Sequence, residues 1–123
     1  MGVNFFIIVA LGGALGSVLR ALVSILLVTQ SQIATILVNV GGAFLIGFLT
    51  KLGSGYGSEE FFRAFWILGI CGGFTTFSTF GMDLYNLLHR EAWGLGIGYM
   101  AANLLGTLVF IWIGFRAASI SIP

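Results

Sequence analysis

The chain has 123 residues, of which 59% are hydrophobic and only 7% charged, and its formal net charge is +1. No soluble domain of that length can hide so much apolar surface, and the charge gives no basis for nucleic acid as a partner. The single cysteine, Cys71, excludes an internal disulfide and reads as a small buried hydrophobe.

A bilayer accepts such a composition, because each spanning helix needs about 20 apolar residues. The length then predicts one transmembrane domain, 1–123, made of four helices and short loops. The first apolar run is too long for a signal peptide, and no clear cleavage site follows it. The first helix is expected over 4–28. Its Gly12 and Gly16 form a GxxxG pair, which lets another helix approach closely. Gly13, Ser17, Arg20 and Ser24 follow helical spacing, so Arg20 shares a side with small residues. An arginine at that depth costs roughly 2.5–3.5 kcal/mol on insertion scales. It therefore faces the bundle or a watery vestibule, where it draws anions, or it snorkels to the nearby membrane edge.

A polar turn, Thr29-Gln30-Ser31-Gln32, precedes a second helix over 33–50. Asn39 is its one strongly polar interior residue, followed by Gly41, Gly42, Ala43 and Gly47. Its amide brings two N–H donors and one acceptor without a charge. It either hydrogen-bonds an ion or glues two helices together. The glycine-rich stretch 51–60 reads as a flexible loop, with Ser58 as N-cap and Glu59 and Glu60 in the first turn.

The third helix is expected over 61–89, broken at 72–75. There Gly72-Gly73 is followed by Phe74-Thr75-Thr76-Phe77-Ser78-Thr79-Phe80. Broken backbone at membrane depth is tolerated only inside protein or beside a watery cavity. A second half-helix beginning at about Thr76 would present free N–H groups and a positive dipole end. Phe77 and Phe80, three apart, share a face, with Ser78 and Thr79 on neighbouring faces. The run reads either as an ion site or as a glycine kink among core phenylalanines. Asp83 lies further along, and His89 and Arg90 sit at the exit, where His89 reads as interfacial.

The last helix is expected over 93–115. Gly94, Gly98, Ala102 and Gly106 suggest a tight packing seam, and Tyr99, Asn103 and Thr107 form a polar stripe beside it. The stripe is either a path or a hydrogen-bonded helix contact. Trp112 and Arg116 suit the membrane edge. Four crossings put Lys51, Arg63 and Arg116 on one side, against Arg90 and Arg20 on the other, so the positive-inside bias is weak. Dual insertion together with glycine seams that invite a partner predicts an all-α membrane protein with a broken third helix, assembled as an antiparallel (dual-topology) homodimer. The candidate lining has no acid. Ring edges, hydroxyls and amides favour a small anion, and carbonyls freed at the break suit a hard monovalent cation.

Gly12-Gly13-Ala14-Leu15-Gly16-Ser17-Val18-Leu19-Arg20, Asn39-Val40-Gly41-Gly42-Ala43-Phe44-Leu45-Ile46-Gly47, the run Gly72–Phe80 and the late Asn103 together resemble the Fluc (CrcB-type) fluoride channel family. These pieces occur in family order over nearly the whole chain. The Gly-Gly-x-Thr-Thr-Phe-Ser-Thr-Phe run is the specific one, whereas the glycine patterns alone are weak. The resemblance implies a dual-topology dimer in the bacterial plasma (inner) membrane, with two antiparallel pores lined by both subunits. It implies a Phe box at Phe77 and Phe80 whose ring edges meet fluoride, donation to the ion by Asn39, and a polar track at Ser78 and Thr79. Tyr99, Asn103 and Thr107 fall at further pore contacts, Thr107 being the less secure match, and Arg20 in the vestibule. Backbone carbonyls of Gly72 and Thr75 would hold a structural sodium ion on the dimer axis. The implied activity is passive fluoride exit, since HF enters through lipid from acid surroundings and dissociates inside. The expected partners are a second copy, lipid and fluoride, and no catalytic group is required.

Two other classes fit four short helices. A small multidrug-type proton-coupled transporter needs a protonatable group in the membrane, for which Asp83 is the sole candidate. A non-transporting membrane subunit needs no pathway, and mutations in Thr75–Phe80 would then affect assembly alone.

Overall fold

The computed structural model describes residues 2–54 and 59–121. The expected N-cap Ser58 lies outside the described residues. The one proline stands at position 123, so no helix interior loses a backbone donor to a proline ring. Helix α1 runs Val3–Leu26 and α2 runs Ser31–Gly53. The turn between them covers 27–30, as long as expected but two residues earlier, since α1 stops at Leu26 rather than 28, Ser31 and Gln32 are already helical, and the Ala34 N–H bonds the Gln30 carbonyl at 3.0 Å.

The third crossing is composite. A short α3, Glu59–Phe62, passes into a π-helical stretch, Arg63–Cys71, and then into α4, Gly72–Phe74. The glycine pair stays helical, with Gly72 at φ −63°, ψ −38°. Helical backbone is instead left at Thr75 (φ −77°, ψ 158°), the last residue of the expected break at 72–75, and at Thr76 (φ −148°, ψ 114°), one residue beyond it. The hydroxyl residues explain the difference, because they give the chain local bonds that compete with the helix ladder. Helix α5, Phe77–His89, follows, and α6 runs Trp93–Ser121, on past the expected end at 115. Counting 60–89 as one run, the described residues hold four helices long and apolar enough to cross a membrane.

Packing follows the small residues. Helix α1 lies along the π-helical stretch and α4, and α2 lies along α6, while α1 and α2 touch little. A Cβ added at Gly12 or Gly16 would strike the Phe65 or Ile70 carbonyl, and one at Gly47 or Gly114 the Ile111 or Phe44 carbonyl. These are backbone-to-backbone approaches that only glycine permits. The seam expected from Gly94 and Gly98 is not used in this way: an added Cβ there meets nothing within 4 Å. The packed face of α6 lies a step round the helix, through Gly96, Tyr99, Asn103, Gly114 and Ala118, all buried. Leu11, Leu22, Leu105 and Leu108 are exposed on the outer faces, as lipid contact requires. Arg116 lies 5.8 Å from the Trp112 ring centroid near the end of α6.

Candidate functional site

The site is built around the two extended residues. Thr76 caps α5: its Oγ1 accepts the Thr79 N–H at 3.1 Å and lies 3.0 Å from Thr79 Oγ1. One of the N–H groups expected to be free at this helix start is therefore satisfied within the chain. Asn39, from α2, reaches the same residue with both ends of its amide. Its Oδ1 accepts the Thr76 N–H at 2.8 Å, and its Nδ2 donates to the Thr76 carbonyl at 3.1 Å. Nδ2 also donates to Asn103 Oδ1 at 2.9 Å, and Asn103 Nδ2 donates to the Tyr99 carbonyl at 3.1 Å. One chain of amides thus ties α2, the Thr75–Thr76 linker and α6.

Phe77 and Phe80 open α5, with ring centroids 5.4 Å apart and planes tilted by 43°. They differ sharply in exposure, 79% for Phe77 and 6% for Phe80. Phe80 also stacks on Tyr99 at 5.5 Å. Below this ring lies a buried polar cluster that sequence reasoning missed. Asp83 Oδ2 accepts from the Tyr99 hydroxyl at 2.9 Å and lies 2.9 Å from Thr35 Oγ1. The single Thr35 hydroxyl hydrogen can serve Asp83 or the Ser31 carbonyl at 3.0 Å, but not both at once. Spacing carried a signal for this cluster: Thr35 lies one turn before Asn39, Tyr99 one turn before Asn103, and Asp83 three residues after Phe80.

An open cavity of about 790 Å³ lies beside the amide chain, between α2, the third crossing and α6. Asn39, Thr75, Phe77, Phe80, Asn103 and Thr107 line it among aliphatic side chains. The structure therefore brings most of the expected pathway residues together. Tyr99 is buried and turns its hydroxyl to Asp83, while Ser78 and Thr79 are exposed at the start of α5. Arg20 is half-buried on α1 and is not part of the cavity wall. Gly72 and Thr75 both border the cavity. The Thr76 N–H, the donor that a continuous helix would give to the Gly72 carbonyl, is turned to Asn39 instead. Among the described residues, no group of three or more His, Cys, Asp or Glu side chains could hold a metal ion.

Four apolar crossings, with polar side chains drawn inward around a helix interruption, define a multi-pass protein of the cell membrane. The profile of the family described as "CrcB-like protein, Camphor Resistance (CrcB)" matches residues 7–115. The chain is 38% identical over 116 residues to a "Fluoride-specific ion channel FluC" of Rhizobium meliloti (strain 1021), covering 90% of this chain and 93% of that one. A protein of the same name from Opitutus terrae is 38% identical over 122 residues, covering 94% and 92%, and one from Gluconobacter oxydans is 40% identical over 119 residues, covering 91% and 83%. The chain belongs to the CrcB-like family, whose curated relatives are named as ion channels and not as enzymes.

Proposed function

We propose that this protein is a fluoride channel that lets the ion leave the cytoplasm passively, down its electrochemical gradient. The observation that carries the reading is the Phe77–Phe80 pair placed directly after two non-helical residues, on the wall of a cavity between helices. Ring edges carry partial positive charge, so the pair can face an anion without trapping it by full charge. Ser78 and Thr79 offer hydroxyls beside the rings, and Thr107 offers another on the α6 side. Tyr99 and Asn103 back that wall, and Arg20, on α1, biases the approach toward anions.

The pathway is completed by a second copy inserted in the opposite sense, giving two antiparallel pores. Three features support this: the weak charge bias, the open glycines Gly94 and Gly98, and a phenylalanine and hydroxyls left exposed at the start of α5. Paired with its like, the composite third helix makes one discontinuous crossing with its interruption at the dimer centre. Carbonyls suit a sodium ion there, and the Gly72 carbonyl, deprived of its helical donor, and the Thr75 carbonyl fit that chemistry. Sodium would supply positive charge and fixed geometry between the copies, with ligands from both.

Purified protein in liposomes, loaded with fluoride and read with an ion-selective electrode, tests the reading. Fluoride should leave rapidly and chloride should stay. Fluoride-tight vesicles would remove it, and drug-driven proton movement would favour a coupled transporter working through Asp83.

A further inference from the structure

We propose that the cleft where α2 ends and the third crossing begins holds the headgroup of an anionic phospholipid, gripped by Arg63. The cleft has a volume of about 340 Å³. Thr50, Ser54 and Arg63 form its polar wall, and Leu49, Phe62 and Ile67 its apolar wall. It stands apart from the amide chain, and Ile67 alone also borders the larger cavity. A close approach keeps the cleft in shape. Gly53 is buried, and a Cβ there would lie 2.7 Å from the Phe62 ring, so the ring rests on bare backbone. The proposal goes beyond the fluoride reading and needs only that the chain spans a membrane.

Charge points to an anion. Arg63 and Lys51 are exposed, and neither side chain makes an ion pair or hydrogen bond among the described residues. Glu60, also exposed, is not paired with them and is not part of the cleft wall. The last turn of α2 ends in carbonyls that disfavour an anion, but two residues offset them. Lys51 stands in that turn, and Ser54 Oγ donates to the Lys51 carbonyl at 2.7 Å. That bond uses the Ser54 hydrogen, so the side-chain donors left in the cleft are the Thr50 hydroxyl and the Arg63 guanidinium. A guanidinium fork matches two oxygens of a phosphate.

The apolar wall and the depth point to a lipid. A soluble phosphate would meet the same donors but leave Leu49, Phe62 and Ile67 to water. A phospholipid covers them with its glycerol and first acyl carbons. Trp66, 40% exposed, has its ring centroid 6.4 Å from that of Phe62 and 5.2 Å from that of Phe65. Such a ring cluster at the end of a crossing suits the boundary between hydrocarbon and headgroups. Net charge then selects among lipids, because the ammonium of a zwitterionic headgroup opposes the pull of Arg63 and Lys51.

The test is solid-state NMR on the full chain, labelled at arginine nitrogens and threonine carbons. The bilayer is a phosphorus-free zwitterionic betaine lipid holding a minority of phosphatidylglycerol, so dephasing by phosphorus reports that lipid alone. Arg63 and Thr50 should dephase at low phosphatidylglycerol content and saturate, well before Arg90 and Arg116 at other helix ends. Phosphatidylcholine at the same content should dephase Arg63 about fivefold less, the factor expected for one basic residue at an anionic surface. In Arg63→Gln, a change at an exposed position, the Thr50 contact should vanish while that of Arg116 stays. Four results would overturn the proposal. Arg63 dephasing no sooner than Arg116 would mean a second copy seated on the cleft, or membrane-edge placement alone. An equal response to both lipids would remove the choice of an anionic headgroup. Saturation of Arg63 by inorganic phosphate, with no phospholipid present, would make the cleft a soluble-anion site. A Thr50 contact that persists in Arg63→Gln would remove Arg63 as the grip. The wild-type arms decide the matter without the variant, and no fluoride enters, so a chain that fails to conduct leaves the result standing.

Discussion

Replacing Phe80 by isoleucine tests the ring-edge reading most directly. Phe80 is 6% exposed and packs between Phe77 at 5.4 Å and Tyr99 at 5.5 Å. Isoleucine keeps most of the apolar volume, so the loss is chiefly of two aromatic contacts, each about 0.5–1.5 kcal/mol. A stability cost of roughly 1–3 kcal/mol should leave a folded protein. The effect on flux comes from the missing ring edge. An anion on an edge is the counterpart of a cation on a face, a contact that reaches about 2 kcal/mol when desolvated. Two kcal/mol on the barrier corresponds to about thirtyfold in rate. Fluoride efflux from liposomes should therefore fall by about that factor, while size-exclusion profiles stay unchanged. Wild-type efflux from Phe80→Ile would refute the argument, and loss of efflux through aggregation would be seen in the profile.

Tyr99→Phe removes the hydroxyl that donates to buried Asp83 at 2.9 Å, and should cost about 1–3 kcal/mol, read as a lower unfolding temperature in detergent. Gly47→Ala puts a methyl against the Ile111 carbonyl, and should separate α2 from α6 at a similar cost of about 1–3 kcal/mol by the same measurement. Glu91 holds φ +58° in the turn before α6, so Glu91→Gly should be neutral or stabilising by about 0.5 kcal/mol despite the greater freedom of the unfolded chain.

The helices were legible because apolar runs of spanning length need no tertiary information. The location of the helix interruption was less so. Gly72 and Gly73 look like breakers, yet a weak helix residue breaks nothing where neighbours hold it. Gly73 lies against the Gly13 carbonyl in a close helix contact, whereas Thr75 and Thr76 find bonds that replace the ladder. The π-helical stretch Arg63–Cys71, along which α1 packs, left no mark in the apolar pattern. In the site, residue types were legible and pairings were not. Asn39, Asn103 and Tyr99 stand out as polar residues in apolar helices, but nothing local shows that the Asn39 hydrogens go to Thr76 and Asn103. The pairing of Asp83 was hidden for the same reason: its partners, Thr35 and Tyr99, come from two other helices.

The amide chain also bears on the order in which the protein can be made. Asn39 emerges from the ribosome with its second helix, but its partners follow 37 and 64 residues later. Helix α1 offers it little shelter, because α1 packs mainly on the third crossing and hardly on α2. A nascent chain halted before Thr76 would hold a polar side chain stranded in lipid with nothing to grip, and one halted before Asn103 would still leave one amide hydrogen unused. The fold is closed from its far end, when the last crossing arrives and the earlier ones can settle around it.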